Sequence, residues 1–387
     1  MRRSLGEAYA ALSESTAAAN EFERAALLRP ASAGRERARD LYNAGANLVD
    51  SDGIDKARLL LEEALSLVGE ADDPDGRKLA ASIGKSLALA EHKAGRTDAA
   101  VTQLQALLPA VESAYGAVSA EVAMTLEDLG DLQTLLARYP QAEASLRRAL
   151  ALRESVFGAD HPRTIKARTR LGAMLGQAGR YDESQIELQR ALEGSMRSLG
   201  PDHRETLAVQ EELALSLMDA GKLAAALPLF ENSLQRRQQL AGPPDRNLST
   251  LLNNFGLLYR DLKRPRDGLV LLQQAHEIDR QLLGPTHPVT LTTLYNMSLH
   301  HQDLRQWDEA RRLQEQLLPQ ARSAFSKDHW HLGVMLTGYA DTLQQLGERS
   351  RSVAYLREAL AVMEPQLAAD HFHVKKARRL LEAAGAD

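Results

Sequence analysis

One loop returns along this chain at a fixed spacing, and that spacing restricts the fold more than any other feature. GADHPRT at Gly158 to Thr164 is followed 42 residues later by GPDHRET at Gly200 to Thr206, and after two more steps by GPTHPVT at Gly284 to Thr290. The loop histidines are His161, His203 and His287; the same arithmetic reaches His329 and His371, with Asp245 in the remaining place. A period of this size marks a stack of small supersecondary units, each too small to bury its apolar face alone.

Between the loops the apolar residues keep helical spacing. RLGAMLGQAG at 170–179, ELALSLMDAG at 212–221, NFGLLYRDLK at 254–263 and NMSLHHQDLR at 296–305 fall at the same place in successive periods. DLGDLQTLLA at 128–137 and SLALAEHKAG at 86–95 precede them in the same register, and GYADTLQQLG at 338–347 follows. A second helix is predicted after each short turn, near Tyr181, Leu223, Pro265, Trp307 or Arg349. Leu188 and Ala191 then share one face, as do Phe230 and Ser233: the small residue permits close approach and the large one fills the space beside it.

The loops read as helix boundaries. Pro162 and Pro288 suit a first helical position, where a backbone N–H would have no intrahelical partner. The preceding His or Asp can cap the free amides, and the glycine can leave the previous helix with positive φ. Together these features predict an all-α solenoid of antiparallel helix hairpins. We divide it into divergent N-terminal helical repeats or a cap at 1–77, regular repeats at 78–371 and a C-terminal capping helix at 372–387. Within the first part, 38–49 reads as a first helix, 53–65 as a second, 18–30 as the end of another hairpin and 70–76 as a flexible loop.

Composition narrows the function classes. No cysteine is present, so disulfides, thiolate metal sites and a cysteine nucleophile are excluded. The 47 basic and 52 acidic residues are interspersed, without the basic stripe expected of a nucleic-acid binder. No apolar stretch approaches membrane-spanning length and the N-terminus has no signal-peptide core, so the expected setting is cytoplasmic. There is no GxxxxGK[ST] loop, no strand-borne GxGxxG and no HExxH, so no cofactor or metal is expected. The phased histidines are separated along the stack by their own period and read as architecture.

Thr164, Leu171-Gly172, Gly179, Tyr181 and Leu192, with His-Pro-x-Thr loops at 161–164 and 287–290, resemble the kinesin light chain type of tetratricopeptide repeat. Related bacterial repeats occur in scaffold and regulatory proteins. The resemblance implies a right-handed superhelix that binds peptides or partner helices on a concave face lined by the first helix of each pair. It places recognition asparagines at Asn254 and Asn296; the equivalent positions hold Arg170, Glu212, Asp128, Ser86 and Gly338. Asp245 in place of a loop histidine, Pro265, Gly268 in place of alanine and Gln314 in an apolar position depart from the pattern, and are expected to bend or loosen the stack.

The candidate groove therefore takes Lys166 and Arg170 as positive groups for a protein or extended peptide with acidic character, and Asn253, Asn254 and Asn296 as amides that both donate to and accept from its backbone. Arg260, Tyr295, Gln302, Asp303 and Asp341 are added from the same array of first helices. The expected function is a protein- or peptide-binding scaffold, with no catalytic residue assigned. The alternatives are a catalytic or small-molecule-binding solenoid, marked by a closed pocket with converging side chains, and self-association through an exposed end of the stack.

Overall fold

Helices begin where the period places them. The computed structural model describes residues 1–12, 14–30, 32–49, 53–69, 73–240, 242–325 and 329–385, and all its regular structure is helical. One compact unit, Met1–Pro201, contains α1 (Arg2–Ala11), α2 (Ser15–Leu27), α3 (Gly34–Leu48), α4 (Ile54–Val68), α5 (Pro74–Lys93), α6 (Thr97–Tyr115), α7 (Ala120–Leu135), α8 (Tyr139–Phe157), α9 (Pro162–Gln177) and α10 (Tyr181–Ser198). The other, Asp202–Asp387, contains α11 (Arg204–Asp219), α12 (Leu223–Gln239), α13 (Arg246–Asp261), α14 (Pro265–Leu283), α15 (Pro288–Asp303), α16 (Trp307–Ala324), α17 (Trp330–Gln345), α18 (Arg349–Met363) and α19 (Phe372–Ala383). Each unit is a stack of helix hairpins in which consecutive helices pack together.

The helix starts at Pro162, Arg204, Arg246, Pro288, Trp330 and Phe372 share one register, and the residue before each caps it. His161 Nδ1 accepts the N–H of Arg163 at 3.2 Å, and His203 and His287 do the same for Glu205 and Val289. His329 and His371 accept from His331 and His373. Asp245 performs the task with a carboxylate, its Oδ1 2.9 Å from the N–H of Leu248, and Ser119 does so with a hydroxyl at the start of α7. What recurs is a side-chain acceptor for an otherwise unsatisfied amide.

Within each hairpin, close approach needs a residue without a side chain. A Cβ on Gly172 would stand 2.6 Å from Leu188 Cγ, so α10 can lay Leu188 against α9 only because residue 172 is glycine. Leu188 and Ala191 are both fully buried there, as are Phe230 and Ser233 in α12. Each such leucine contributes about 1.5–3 kcal/mol of burial.

The N-terminal register loosens as expected: α4 starts one residue ahead of the phase set by Thr97. The loop reading of 70–76 is corrected in its second half, because Asp73 caps α5, accepting from the N–H groups of Asp75 and Gly76, and Pro74 takes the first helical position. Residues 70–72 lie outside the described residues.

The irregular middle repeats are not loosened at their cores. Gln314 is fully buried, donating to Ser298 Oγ at 3.2 Å and accepting from Thr342 Oγ1 at 2.7 Å. Gln302 donates to the same Thr342 oxygen and to the carbonyl of Gly338, each at 2.7 Å. Gln314, the polar residue in an apolar position of the repeat, is thus part of one satisfied network joining α15, α16 and α17.

Candidate functional site

In the second unit the first helices α13, α15 and α17, with α19, enclose a cavity of about 340 Å3. Its floor is aliphatic, from Leu299, Val334 and Met335, with Tyr295 beside them. Tyr295 is 8% exposed and donates its hydroxyl to the carbonyl of Val334 at 3.1 Å; burial pushes the phenol well above its usual range. The ring has room because residue 338 is glycine, where a Cβ would come within 2.7 Å of it.

The wall is aromatic. Trp330 lies against His331, ring centroids 3.8 Å apart, and 5.7 Å from the ring of His373. Burial, with His329 and His373 nearby, pushes the His331 imidazole down to about 4, and burial lowers His373 too. Both rings are therefore neutral at pH 7, and the wall is apolar. Phe372, 66% exposed, stands at the rim.

Polar groups sit around this apolar centre. Asn296 donates to Asn253 Oδ1 at 2.8 Å, and Asn253 donates to Asn254 Oδ1 at 3.2 Å, so three amides form one relay across α13 and α15. Arg260 reaches into the cavity wall, its Nε 2.5 Å from Asp303 Oδ2. Lys376 faces Asp341 with its Nζ 3.7 Å from Oδ2. Each cation is matched by a carboxylate, and the cavity carries little net charge.

The residues singled out in the sequence divide accordingly. Arg260, Tyr295 and Asn296 line the cavity; Asn253 and Asn254 extend its amide relay; Asp303 and Asp341 hold its two cations. Gln302, 7% exposed, spends its amide inside the network described above. Lys166 and Arg170 belong to the first unit. Lys166 is exposed, while Arg170 is held 3.0 Å from Glu127 and 3.4 Å from Asp131 beside the buried Arg153–Glu127 pair.

Sequence reasoning missed Trp330, His331, Phe372, His373 and Lys376. The signal was present as His329-Trp330-His331 and His371-Phe372-His373, two aromatic residues flanked by histidines at the same phase. Among the described residues no group of three or more His, Asp or Glu side chains is placed to hold a metal ion.

The tetratricopeptide repeat profile matches residues 79–155, 135–197, 205–281, 247–304 and 290–365. The chain belongs to the tetratricopeptide repeat family. No curated protein matches this member. Among solved structures, a Rap protein complexed with competence and sporulation factor is similar over 91% of this chain and 98% of its own, with 12% identity and a TM-score of 0.54. The apo quorum sensor NprR from B. thuringiensis matches over 91% and 99%, with 15% identity and a TM-score of 0.52. Putative kinesin light chain repeats from Podosopora anserina match over 54% of this chain and 99% of their own, with 20% identity and a TM-score of 0.46. The first two share the fold of this tetratricopeptide repeat protein along most of its length. No helix among its described residues is long and apolar enough to cross a membrane.

Proposed function

We propose that this tetratricopeptide repeat protein is a scaffold that holds an extended segment of a partner protein on the first-helix face of its second unit. An apolar or aromatic side chain of that segment enters the cavity beside Trp330. The observation that carries this reading is the cavity's division of labour: aliphatic floor, neutral aromatic wall and an amide relay at the edge. An apolar anchor gains burial in such a place, while asparagine amides can meet a peptide's N–H and C=O groups. The similar Rap protein is itself complexed with competence and sporulation factor, which accords with a bound ligand on this fold.

Acidic character in the partner is not favoured at this cavity. Arg260 and Lys376 already face Asp303 and Asp341, so an incoming carboxylate must displace an existing one. The segment that fits best is neutral around its anchor.

The test is selection of random dodecapeptides on the purified chain, followed by affinity measurement on the selected peptides. Enrichment of an apolar anchor, with Trp330→Ala and Asn296→Ala each weakening binding by about tenfold, supports the reading. Selected peptides that bind both variants as well as the parent would refute it. A second reading follows from the cavity volume of about 340 Å3, which is within the range of small-molecule sites. Co-purification of a metabolite that is lost on Trp330→Ala, with no peptide selected, would favour that reading.

A further inference from the structure

The first unit has a cavity of its own, about 270 Å3, bounded by α1, α3, α5 and the end of α6. Three consecutive first helices each bring a cation to it: Arg3, Arg39 and Lys78. Arg3 is partly spent, with its Nε 3.2 Å from Glu7 and 3.8 Å from Asp40. Arg39 and Lys78 are exposed, and neither makes an ion pair among the described residues. The Lys78 ammonium instead stands 5.8 Å from the ring centroid of Tyr115. Asp75 is the cavity's carboxylate, so positive charge is in excess.

Neutral donors surround these cations. Tyr115 donates to the carbonyl of Lys78 at 3.2 Å, Ser82 Oγ donates to the same carbonyl at 3.0 Å, and the two hydroxyl oxygens lie 3.1 Å apart. The Tyr42 phenol, tied to Ser86 and Ser82, is raised by burial and stays protonated, a donor at neutral pH. Asn43 adds an amide from the next position of α3.

We propose that this cavity binds a phosphate group, as a monoester or as free phosphate, with Arg39 and Lys78 supplying the charge and the Tyr42 and Asn43 side chains the neutral hydrogen bonds. A carboxylate offers two oxygens, whereas a phosphate monoester dianion offers three and carries nearly twice the charge. A guanidinium fork, an ammonium and two neutral donors around one hollow match the larger demand. Asp75 opposes the ligand and sets its affinity below what the cations alone would give. The site lies wholly in the first unit and is independent of the peptide cavity.

The experiment is calorimetric titration of the intact chain at pH 7.5 with inorganic phosphate, phenyl phosphate and benzoate. Saturable binding of phosphate or phenyl phosphate, at least tenfold tighter than benzoate, is expected. Tighter binding of phenyl phosphate assigns the source to an ester, and equal binding assigns it to free phosphate. Arg39→Gln and Lys78→Gln should each weaken binding by about tenfold, and Asp75→Asn should strengthen it. Arg39→Lys should keep the charge and lose part of the affinity. Both cations are exposed, so helical circular dichroism should be unchanged in all four variants. Absence of saturable binding of both phosphate and phenyl phosphate, benzoate binding as tightly as the tighter of the two, or charge-removing variants that bind as the parent does, would overturn the proposal.

Discussion

The imidazole of His300 occupies the space that a methyl group on Gly268 would need. A Cβ at residue 268 would lie 2.6 Å from His300 Nε2 and 2.6 Å from the carbonyl of Gly256. His300 is fully buried at the place where α14 passes, its Nδ1 2.8 Å from the carbonyl of Asn296 and its Nε2 3.0 Å from that of Gly256, and as a neutral ring it donates to one of the two. Gly268 and His300 are one adaptation written at two positions.

Gly268→Ala should therefore destabilise the second unit by about 1–3 kcal/mol, the usual range for an overpacked site. Urea denaturation measures it. His300→Ala should also destabilise, and the double variant should lose less than the sum of the two, because one of the two clashes disappears with the imidazole. Strict additivity would show that the residues do not share the space described.

Acid should weaken the second unit. Burial lowers His300, His329, His331 and His373, with His331 pushed down to about 4. The unfolded chain takes up these protons near pH 6.5 while the folded chain does not. Stability should hold above that pH and fall as the pH drops through 6.5 toward 4. His331→Gln should flatten the slope of melting temperature against pH in that window; an unchanged slope would contradict the burial of the ring.

Asp131 should act with the opposite sign. Desolvation, partly offset by Arg170 and reinforced by Asp128 and Glu127, pushes its carboxyl up to about 6. Its folded proton affinity exceeds the unfolded one, so its contribution is present in acid and is lost as the pH rises through 6. Asp131→Asn should raise the melting temperature at pH 7.5, with the gain shrinking at pH 5. A loss at pH 7.5 would mean that the contact with Arg170 outweighs the crowding of carboxylates.

The caps supply a third kind of test. His203→Ala should cost about 0.5–2 kcal/mol, whereas His203→Asp should retain most of the stability, because one period further on Asp245 already caps its helix with a carboxylate. Thermal melts of the two variants at pH 7.5 decide it. Equal loss in both would show that the imidazole itself, rather than an acceptor, is required.

Much of this was legible in advance because the repeat states each structural requirement several times. A single histidine before Pro162 is ambiguous, but the same phase at His203, Asp245 and His287 leaves helix capping as the common property. The period likewise marks the first helices, which is why Arg260, Tyr295 and Asn296, all lining the cavity, stand out in the sequence. The missed residues fail that logic. Trp330 and Phe372 sit at the first position of their helices, where the pattern announces a boundary, so their side chains read as loop and cap. Gln302 fails in the other direction, since its phase marks the exposed face but not the neighbouring Thr342 that draws its amide inward. Gly268 stands as a departure in the sequence because no local pattern encodes a partner 32 positions away.

The shared register of caps and helix starts has a consequence for how such a gene can change. From α5 onward each period carries its own start signal, its own turn and its own half of the contact with the next hairpin. Removing or copying one whole period keeps the cap and turn chemistry of its junctions, while a pair particular to one junction, such as Gly268 with His300, must be kept or lost together. Length can therefore vary in single steps of one hairpin without a new boundary having to be invented, while a shift of even one residue within a period, as at α4, must be absorbed locally.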